Sequence, residues 1–183
     1  MDEPTLIARS RAGDLEAYDH LVGAYQDRVY QVAFRITGNR EDAWDAAQDA
    51  LVRAFQGLRS FRGDAGFGTW LYRITVNAAL DIVRRRPPRV GDLDPVWTAE
   101  ADPAAVAARR DVQRRVHQAI ATLPAGQRAA VVLRDIQGLS YEEISRIQQV
   151  PLGTVRSRLA RARESLRLRL LDLAPAAPEE DRE

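Results

Sequence analysis

No cysteine occurs in the 183 residues. Disulfides, thiol nucleophiles and cysteine-ligated zinc are therefore excluded. Histidine is nearly as scarce. His20 and His117 stand far apart in the sequence, and each is expected as an ordinary residue on a helix surface. Neither a metal site nor a cofactor is expected. Lysine is missing altogether, so all 27 basic residues are arginine. Arginine suits bidentate contacts to phosphate and guanine, although its exclusive use beside so much alanine reads as compositional bias. Long apolar runs are also lacking: none approaches the roughly 18 residues that span a bilayer. The start, Met1-Asp2-Glu3-Pro4, is acidic and has no apolar signal core. A cytoplasmic protein without membrane insertion is expected. Strand-type alternation is nearly absent, which argues against an alternating strand-helix domain such as a phosphotransfer receiver.

What is present is the composition of a globular protein, 45% hydrophobic and 29% charged. The net charge of +1 conceals an uneven distribution. Residues 1–86 balance to zero, 87–104 carry −3, 105–173 carry +7 and 174–183 carry −3. One strongly basic segment is the electrostatic footprint of nucleic-acid binding.

Helical periodicity dominates. A short helix is expected from Thr5 to Ala12, stopping at Gly13. Asp14 then caps a long helix whose apolar stripe is Leu21, Tyr25, Val29, Val32 and Ile36, ending at Gly38. Asn39 caps the next helix, which is expected to bury Ala43, Ala47, Ala50, Leu51, Ala54 and Phe55. A glycine-marked loop, 59–66, leads to a helix holding Trp70, Leu71, Ile74, Val76, Leu80 and Val83. That helix stops at Pro87-Pro88. Residues 87–104, with four prolines and four acids, read as a linker. A second domain spans 105–173, with helices near 105–122, 125–137, 141–148 and 152–171. The tail 174–183 reads as disordered. The fold class is all-α: two small helical domains joined by an acidic, proline-containing linker.

The second domain carries the sharpest local signal. Ser140 and Glu143 form an S-x-x-E capping box before a short helix. Ile144 and Ile147 face inward there, and Val155 and Leu159 face back from the following helix. Pro151 lies in the turn or at the helix start, where its missing N–H costs least. Gln148 and Gln149 are the candidates for a positive φ in the turn, at a cost of about 1 kcal/mol. This is a helix-turn-helix, whose second helix enters the major groove. That helix presents Thr154, Arg156, Ser157, Arg158, Arg161 and Arg163, and amides near Gly153 and Thr154 could hold a phosphate.

Further motifs lie upstream in one order: Tyr25-Gln26-Asp27-Arg28-Val29-Tyr30, Thr37-Gly38-Asn39-Arg40-Glu41-Asp42-Ala43, Asp45-Ala46-Ala47-Gln48-Asp49, and Phe61-Arg62-Gly63-Asp64 through Thr69-Trp70-Leu71-Tyr72-Arg73-Ile74. With the helix-turn-helix they resemble the extracytoplasmic-function (ECF) sigma factors of bacterial RNA polymerase, over about residues 14–86 and 106–170. The resemblance implies a region two at 14–86 and a region four at 105–173. It implies docking on the polymerase β′ subunit through Asp42, Asp45, Gln48 and Asp49, with β as a further contact. Asp45, Gln48 and Asp49 share one helix face. It also implies that the 61–64 loop captures a base flipped from the minus-ten element. Stacking contributes about 1–3 kcal/mol per base against roughly 1.4 kcal/mol per base-pair step opened. The minus-ten set is then Phe61, Arg62, Gly63, Asp64, Arg73, Asn77, Arg84 and Arg85, with Asp81 orienting an arginine. Phe61 is the stacking candidate, though core packing is open to it as to Trp70. The minus-thirty-five set is Ser140, Tyr141, Thr154, Arg156, Ser157, Arg158, Arg161 and Arg163.

The sequence departs from the family pattern at Ala47, where a larger aliphatic is common. It departs again at Gly66 and Gly68, where serines are frequent and glycines are expected to loosen the loop. An anti-sigma factor is the implied regulator, covering the inner faces of both domains. No residues remain for a further regulatory domain, so regulation is expected from outside the chain. The acidic linker, through Asp92, Asp94, Glu100 and Asp102, is expected to mimic nucleic acid in the RNA-exit path. No acid pair accompanies a nucleophile, phosphate loop or histidine cluster, so no enzyme is expected. The competing accounts are a stand-alone helix-turn-helix regulator, with 1–86 as a dimerisation or ligand domain, and a sequestering protein that would not need the arginines at 156–163.

Overall fold

The computed structural model describes residues 1–85 and 103–171, with side chains from 111 in the second stretch. The expected linker and tail lie almost wholly outside the described residues. The described residues form helices and no strand: α1 Glu3–Arg11, α2 Leu15–Gly23, α3 Gln26–Thr37, α4 Arg40–Gly57, α5 Phe67–Arg85, α6 Pro103–Ala121, α7 Ala125–Val131, α8 Tyr141–Gln148 and α9 Leu152–Leu171. A 3₁₀ turn, Leu58–Ser60, follows α4, and a π turn, Val132–Ile136, extends α7.

The punctuation follows the sequence closely. Asp14 accepts the Ala17 N–H at 3.0 Å, and Asn39 accepts the Asp42 N–H at 2.9 Å. Gly38, at φ 90°, ends α3 in the left-handed conformation and donates to the Phe34 carbonyl.

One expected element is corrected. The long helix after Asp14 is two helices, broken at Ala24–Tyr25. Tyr25 donates its N–H to Val22 in a tight turn, and its ring packs edge-on against Phe67 at 5.4 Å. Its hydroxyl donates to Glu3 of α1 at 2.5 Å. These contacts to distant elements outweigh the apolar periodicity that runs through the break.

Helices α3, α4 and α5 pack as a three-helix core, with α1 and α2 along one side. The seam of α4 is nearly all alanine: Ala43, Ala46, Ala50 and Ala54 are fully buried and Ala47 nearly so. Leu51 and Phe55, expected inside, are only half-buried. Phe55 meets Tyr18 edge-on at 5.0 Å, while the Tyr18 hydroxyl donates to the Leu51 carbonyl at 2.6 Å. Burial pushes the Tyr18 hydroxyl up to about 12. On α5 the core takes Leu71, Tyr72, Thr75, Val76, Ala79 and Leu80, whereas Trp70, Ile74 and Val83 are half-buried.

The second unit wraps α6, α7 and α8 against α9. Ile144, Ile147, Val155 and Leu159 are all buried, as their spacing requires. Because the buried seam of α4 is made of methyl groups, added bulk there has nowhere to go. Ala50→Leu is expected to lower stability by about 1–3 kcal/mol in urea unfolding.

Candidate polymerase and DNA interface

Three surfaces carry the expected functional residues. The first is the outer face of α4. Asp45 and Gln48 are exposed, while Asp42 is half-buried and accepts the Asn39 side-chain amide at 2.7 Å. Asp49 is paired with Arg53 at 2.6 Å. Arg53 reaches Asp81 of α5 at 3.7 Å, and Asp81 accepts Arg84 at 3.3 Å. Asp81 therefore orients an arginine, as expected, and joins the α4 face to α5. This face is not purely polar. Trp44 is 59% exposed and Val52 53% exposed, one turn to either side of Gln48. Neither stands out from the sequence, because helical spacing shows that they face away from the alanine seam but not that nothing covers them.

The second surface is the 61–65 loop with the face of α5. Arg62, Gly63 and Asp64 are exposed, and Gly63 has φ 79°. Arg73 is half-exposed, and Asn77, Arg84 and Arg85 are exposed further along α5. Phe61, for which stacking and core packing are both open from the sequence, takes the core-packing place here. It is only 7% exposed and packs between Phe67 at 5.9 Å and Trp70 at 5.1 Å, with Arg11 over its ring. Its ring anchors the loop from inside, with an edge on the cleft between the two units. Gly68 departs from expectation: a Cβ there would lie 2.8 Å from the Tyr25 ring, so this glycine permits close packing and does not loosen the loop.

The third surface is the helix-turn-helix. The capping box is present. The Ser140 hydroxyl accepts the Glu143 N–H at 3.2 Å, and the Glu143 carboxylate accepts the Ser140 N–H at 2.8 Å. These bonds hold the Glu143 carboxyl below its ordinary range. Ser140 is thus spent on the helix start. The turn residue with positive φ is Gln149, at 53°.

On α9, Arg156, Ser157 and Arg161 project to solvent, and Thr154 is half-buried. Two arginines are held back. Arg158 donates to Gln148 at 2.5 Å and lies over Gly126, where a Cβ would come within 3.0 Å of its guanidinium carbon. Arg163 forms a two-point pair with Asp135 of the π turn at 2.6 and 3.3 Å. Tyr141 lies under Arg134, 5.1 Å from its ring centre. The Thr154 amide, expected to be open to phosphate, donates to the Pro151 carbonyl at 2.9 Å. Nothing in the sequence separates the exposed arginines from the held ones, because their partners come from other helices.

The second and third surfaces meet across a cleft of about 470 Å³, with the 60–65 loop, Trp70 and Arg73 on one side and Arg146, Ile147 and Gln149 on the other. No helix among the described residues is long and apolar enough to cross a membrane.

These features define an all-helical protein with a helix-turn-helix reader of DNA in its second unit. Comparison with known proteins narrows the class. The family model for Sigma-70 region 2 matches residues 21–87, and that for Sigma-70 region 4 matches residues 113–166. The chain is 38% identical to the RNA polymerase sigma-H factor of Pseudomonas aeruginosa, over 88% of this chain and 90% of that one. It is 37% identical to the ECF RNA polymerase sigma-E factor of Escherichia coli, over 91% and 93%. It is 41% identical to the ECF RNA polymerase sigma factor SigE of Mycolicibacterium smegmatis, over 91% and 68%. The chain belongs to the ECF group of RNA polymerase sigma factors. Its fold resembles that of CnrH, solved in complex with the cytosolic domain of CnrY (TM-score 0.71, 29% identity, 93% of this chain and 97% of that one). It also resembles the fold of the sigma factor RpoE of Bartonella quintana, solved with the anti-sigma factor NepR (TM-score 0.69, 23% identity, 84% and 96%).

The turn at Gln149 makes a direct check. Gln149→Gly is expected to stabilise the second unit by about 1 kcal/mol, because glycine adopts positive φ without strain. Ser140→Ala is expected to destabilise it by about 1 kcal/mol through loss of the cap. Thermal unfolding measures both.

Proposed function

We propose that this chain binds core RNA polymerase through the outer face of α4 and directs it to promoters by reading two DNA elements, one with each unit. The observation that carries the reading is a pairing on one chain. An exposed face combining acids, an amide and an uncovered tryptophan stands in the first unit, and a helix-turn-helix with arginines free for DNA stands in the second. The roles divide accordingly. Asp45, Gln48 and Asp49 contact β′, with Trp44 as the buried anchor of that contact and Asp42 holding the start of α4. Arg62, Asp64, Arg73 and Asn77 meet minus-ten DNA, with Arg84 and Arg85 on phosphates. Phe61 supports this loop from below. Arg156, Ser157 and Arg161, with Thr154 beside them, meet the minus-thirty-five element, while Arg158 and Arg163 brace the reader.

In this reading the chain acts in the cytoplasm and has no catalysis of its own; the polymerase supplies it. Region two occupies 14–86 with α1 packed against it, and region four occupies 105–173. The acidic linker between them lies along the RNA-exit path. A protein regulator of the anti-sigma kind is a further partner. The likeness to CnrH, solved with a partner's cytosolic domain, supports that assignment.

The test is association with purified core polymerase and transcription from matched promoters. Wild type is expected to associate and to confer promoter-dependent transcription. Gln48→Ala/Asp49→Ala is expected to weaken association, and Trp44→Ala by at least tenfold, the loss of about 2 kcal/mol typical of a buried aromatic anchor. Sequence-specific DNA binding without polymerase association would favour a stand-alone regulator instead. In the helix-turn-helix, Arg156→Ala and Arg161→Ala are each expected to reduce promoter affinity. The logarithmic salt dependence falls by about 1 for each phosphate that loses its arginine.

A further inference from the structure

Arginine meets the carbonyls of a helix end at two places in this chain. At the end of α3, Arg128 of α7 donates to Ile36, and also to Ala121 and Leu123 of its own unit. His117, expected on a helix surface, is buried beside it and meets the Gly38 carbonyl at 3.4 Å. The second place is the end of α4, where the chain turns into the 61–65 loop. There the Leu58 carbonyl accepts the Phe61 N–H at 3.1 Å within its own turn. It also accepts the Arg11 Nε–H at 3.2 Å, from a helix 47 residues earlier in the chain. The Arg11 guanidinium lies over the Phe61 ring, 5.8 Å from its centre. One side chain of α1 thus holds both the 3₁₀ turn and the first residue of the loop.

The helix that carries Arg11 is itself fixed by other groups. Leu6 and Ile7 pack against the core, and the buried Ser10 donates its hydroxyl to the Leu6 carbonyl at 2.7 Å. Glu3 accepts the Tyr25 hydroxyl. From Tyr25 a row of rings runs beneath the loop: Tyr25 on Phe67, Phe67 on Phe61, and Phe61 on Trp70. All of α1 lies ahead of residues 21–87, the stretch matched to Sigma-70 region 2.

We propose that α1 is a brace for the loop assigned to minus-ten DNA, with Arg11 as a positioning residue that fixes the Leu58 turn and the Phe61 ring and so sets how sharply the loop selects its base. The inference rests on the function proposed above.

The loop needs such a brace at its base. Gly63 has φ 79°, and a Cβ added at Gly63 or Gly66 would meet nothing within 4 Å. No neighbour therefore packs against these positions, and the order of the loop comes from the Leu58 turn and the Phe61 ring. Selecting one base requires the selecting groups to be held within about 0.5 Å. Arginine suits the task, because a planar guanidinium can donate from Nε in its plane while its face covers a ring. Arg11 is also exposed, and substitutions at exposed sites change stability little. Its contribution is then to geometry, which separates a positioning role from a merely structural one.

The test uses the full chain. In free protein, hydrogen–deuterium exchange of residues 58–66 is read by mass spectrometry. Arg11→Ala is expected to speed exchange there at least threefold and to leave residues 141–171 unchanged. Arg11→Lys keeps the charge without the planar fork and is expected to behave like Arg11→Ala. Circular dichroism verifies that both variants stay folded. Each protein is then combined with core polymerase, and the complex selects from a DNA library randomised at the minus-ten and minus-thirty-five elements. Arg11→Ala is expected to lower the preference for the favoured minus-ten base over its nearest competitor at least threefold. Preference at minus thirty-five, association with polymerase and the salt dependence of DNA binding should not change.

Unchanged exchange, or faster exchange with unchanged minus-ten preference, would overturn the brace. Wild-type behaviour of Arg11→Lys would also overturn it, by assigning the effect to charge alone. So would a uniform loss of DNA affinity with a shallower salt slope, the mark of an arginine on a phosphate. Failure of wild type to select any promoter would instead count against the proposed function, and the exchange measurement would still decide whether α1 holds the loop.

Discussion

A helix that ends inside a protein must find partners for its last carbonyls, and the end of α3 is where this chain meets that demand. Gly38 donates to Phe34 and the Thr37 hydroxyl donates to Ala33, both from within the first unit. The carbonyls of Ile36 and Gly38 are met from the second unit, by Arg128 and His117. The same turn sets where α4 begins, through the Asn39 cap, and so sets the direction of the face proposed to meet the polymerase. One helix terminus thereby governs both the bundle that presents α4 and the seat of the helix-turn-helix unit. The guanidinium succeeds here because it is planar and offers several donors at once, and it serves three carbonyls from two units.

Much of this is legible from residue order. Caps and stops declare themselves locally: Asp14, Gly38, Asn39 and the Ser140–Glu143 box all behave as their chemistry demands. The inward faces of α8 and α9 follow from spacing alone. What is not legible shares one cause. The break at Tyr25, the burial of Phe61, the close approach at Gly68 and the burial of His117 all depend on partners far away in sequence. Periodicity assigns a residue to a side of a helix, but it does not say what stands opposite that side. The arginines show this most clearly. Arg156 and Arg158 are alike in the sequence, yet one faces solvent and the other is held by Gln148.

The candidate site divides in the same way. The faces of α4, α5 and α9 are identifiable from spacing and from family resemblance. The division of labour within each face is not, because supporting residues and contacting residues draw on the same side-chain types. Asp81 is an exception, since a carboxylate among arginines proposed to meet DNA repels phosphate and so must serve another group. The ladder Asp49–Arg53–Asp81–Arg84 fits that logic. Exposed pairs of this kind add little to stability, so its value lies in fixing the orientation of long side chains on two neighbouring faces.

The alanine seam of α4 has a consequence for how such a protein can change over time. A helix whose buried seam is methyl groups takes its position from backbone proximity, with ring contacts only at the flanks, Trp44 to Tyr30 and Phe55 to Tyr18. Its outermost residues, Gln48 and Val52, therefore lie apart from the seam. Residues such as Gln48 and Val52 can be exchanged without any compensating change beneath them, while the fully buried seam positions Ala43, Ala46, Ala50 and Ala54 leave no room for added bulk. Exposed residues of this helix can therefore change without disturbing the scaffold that presents them.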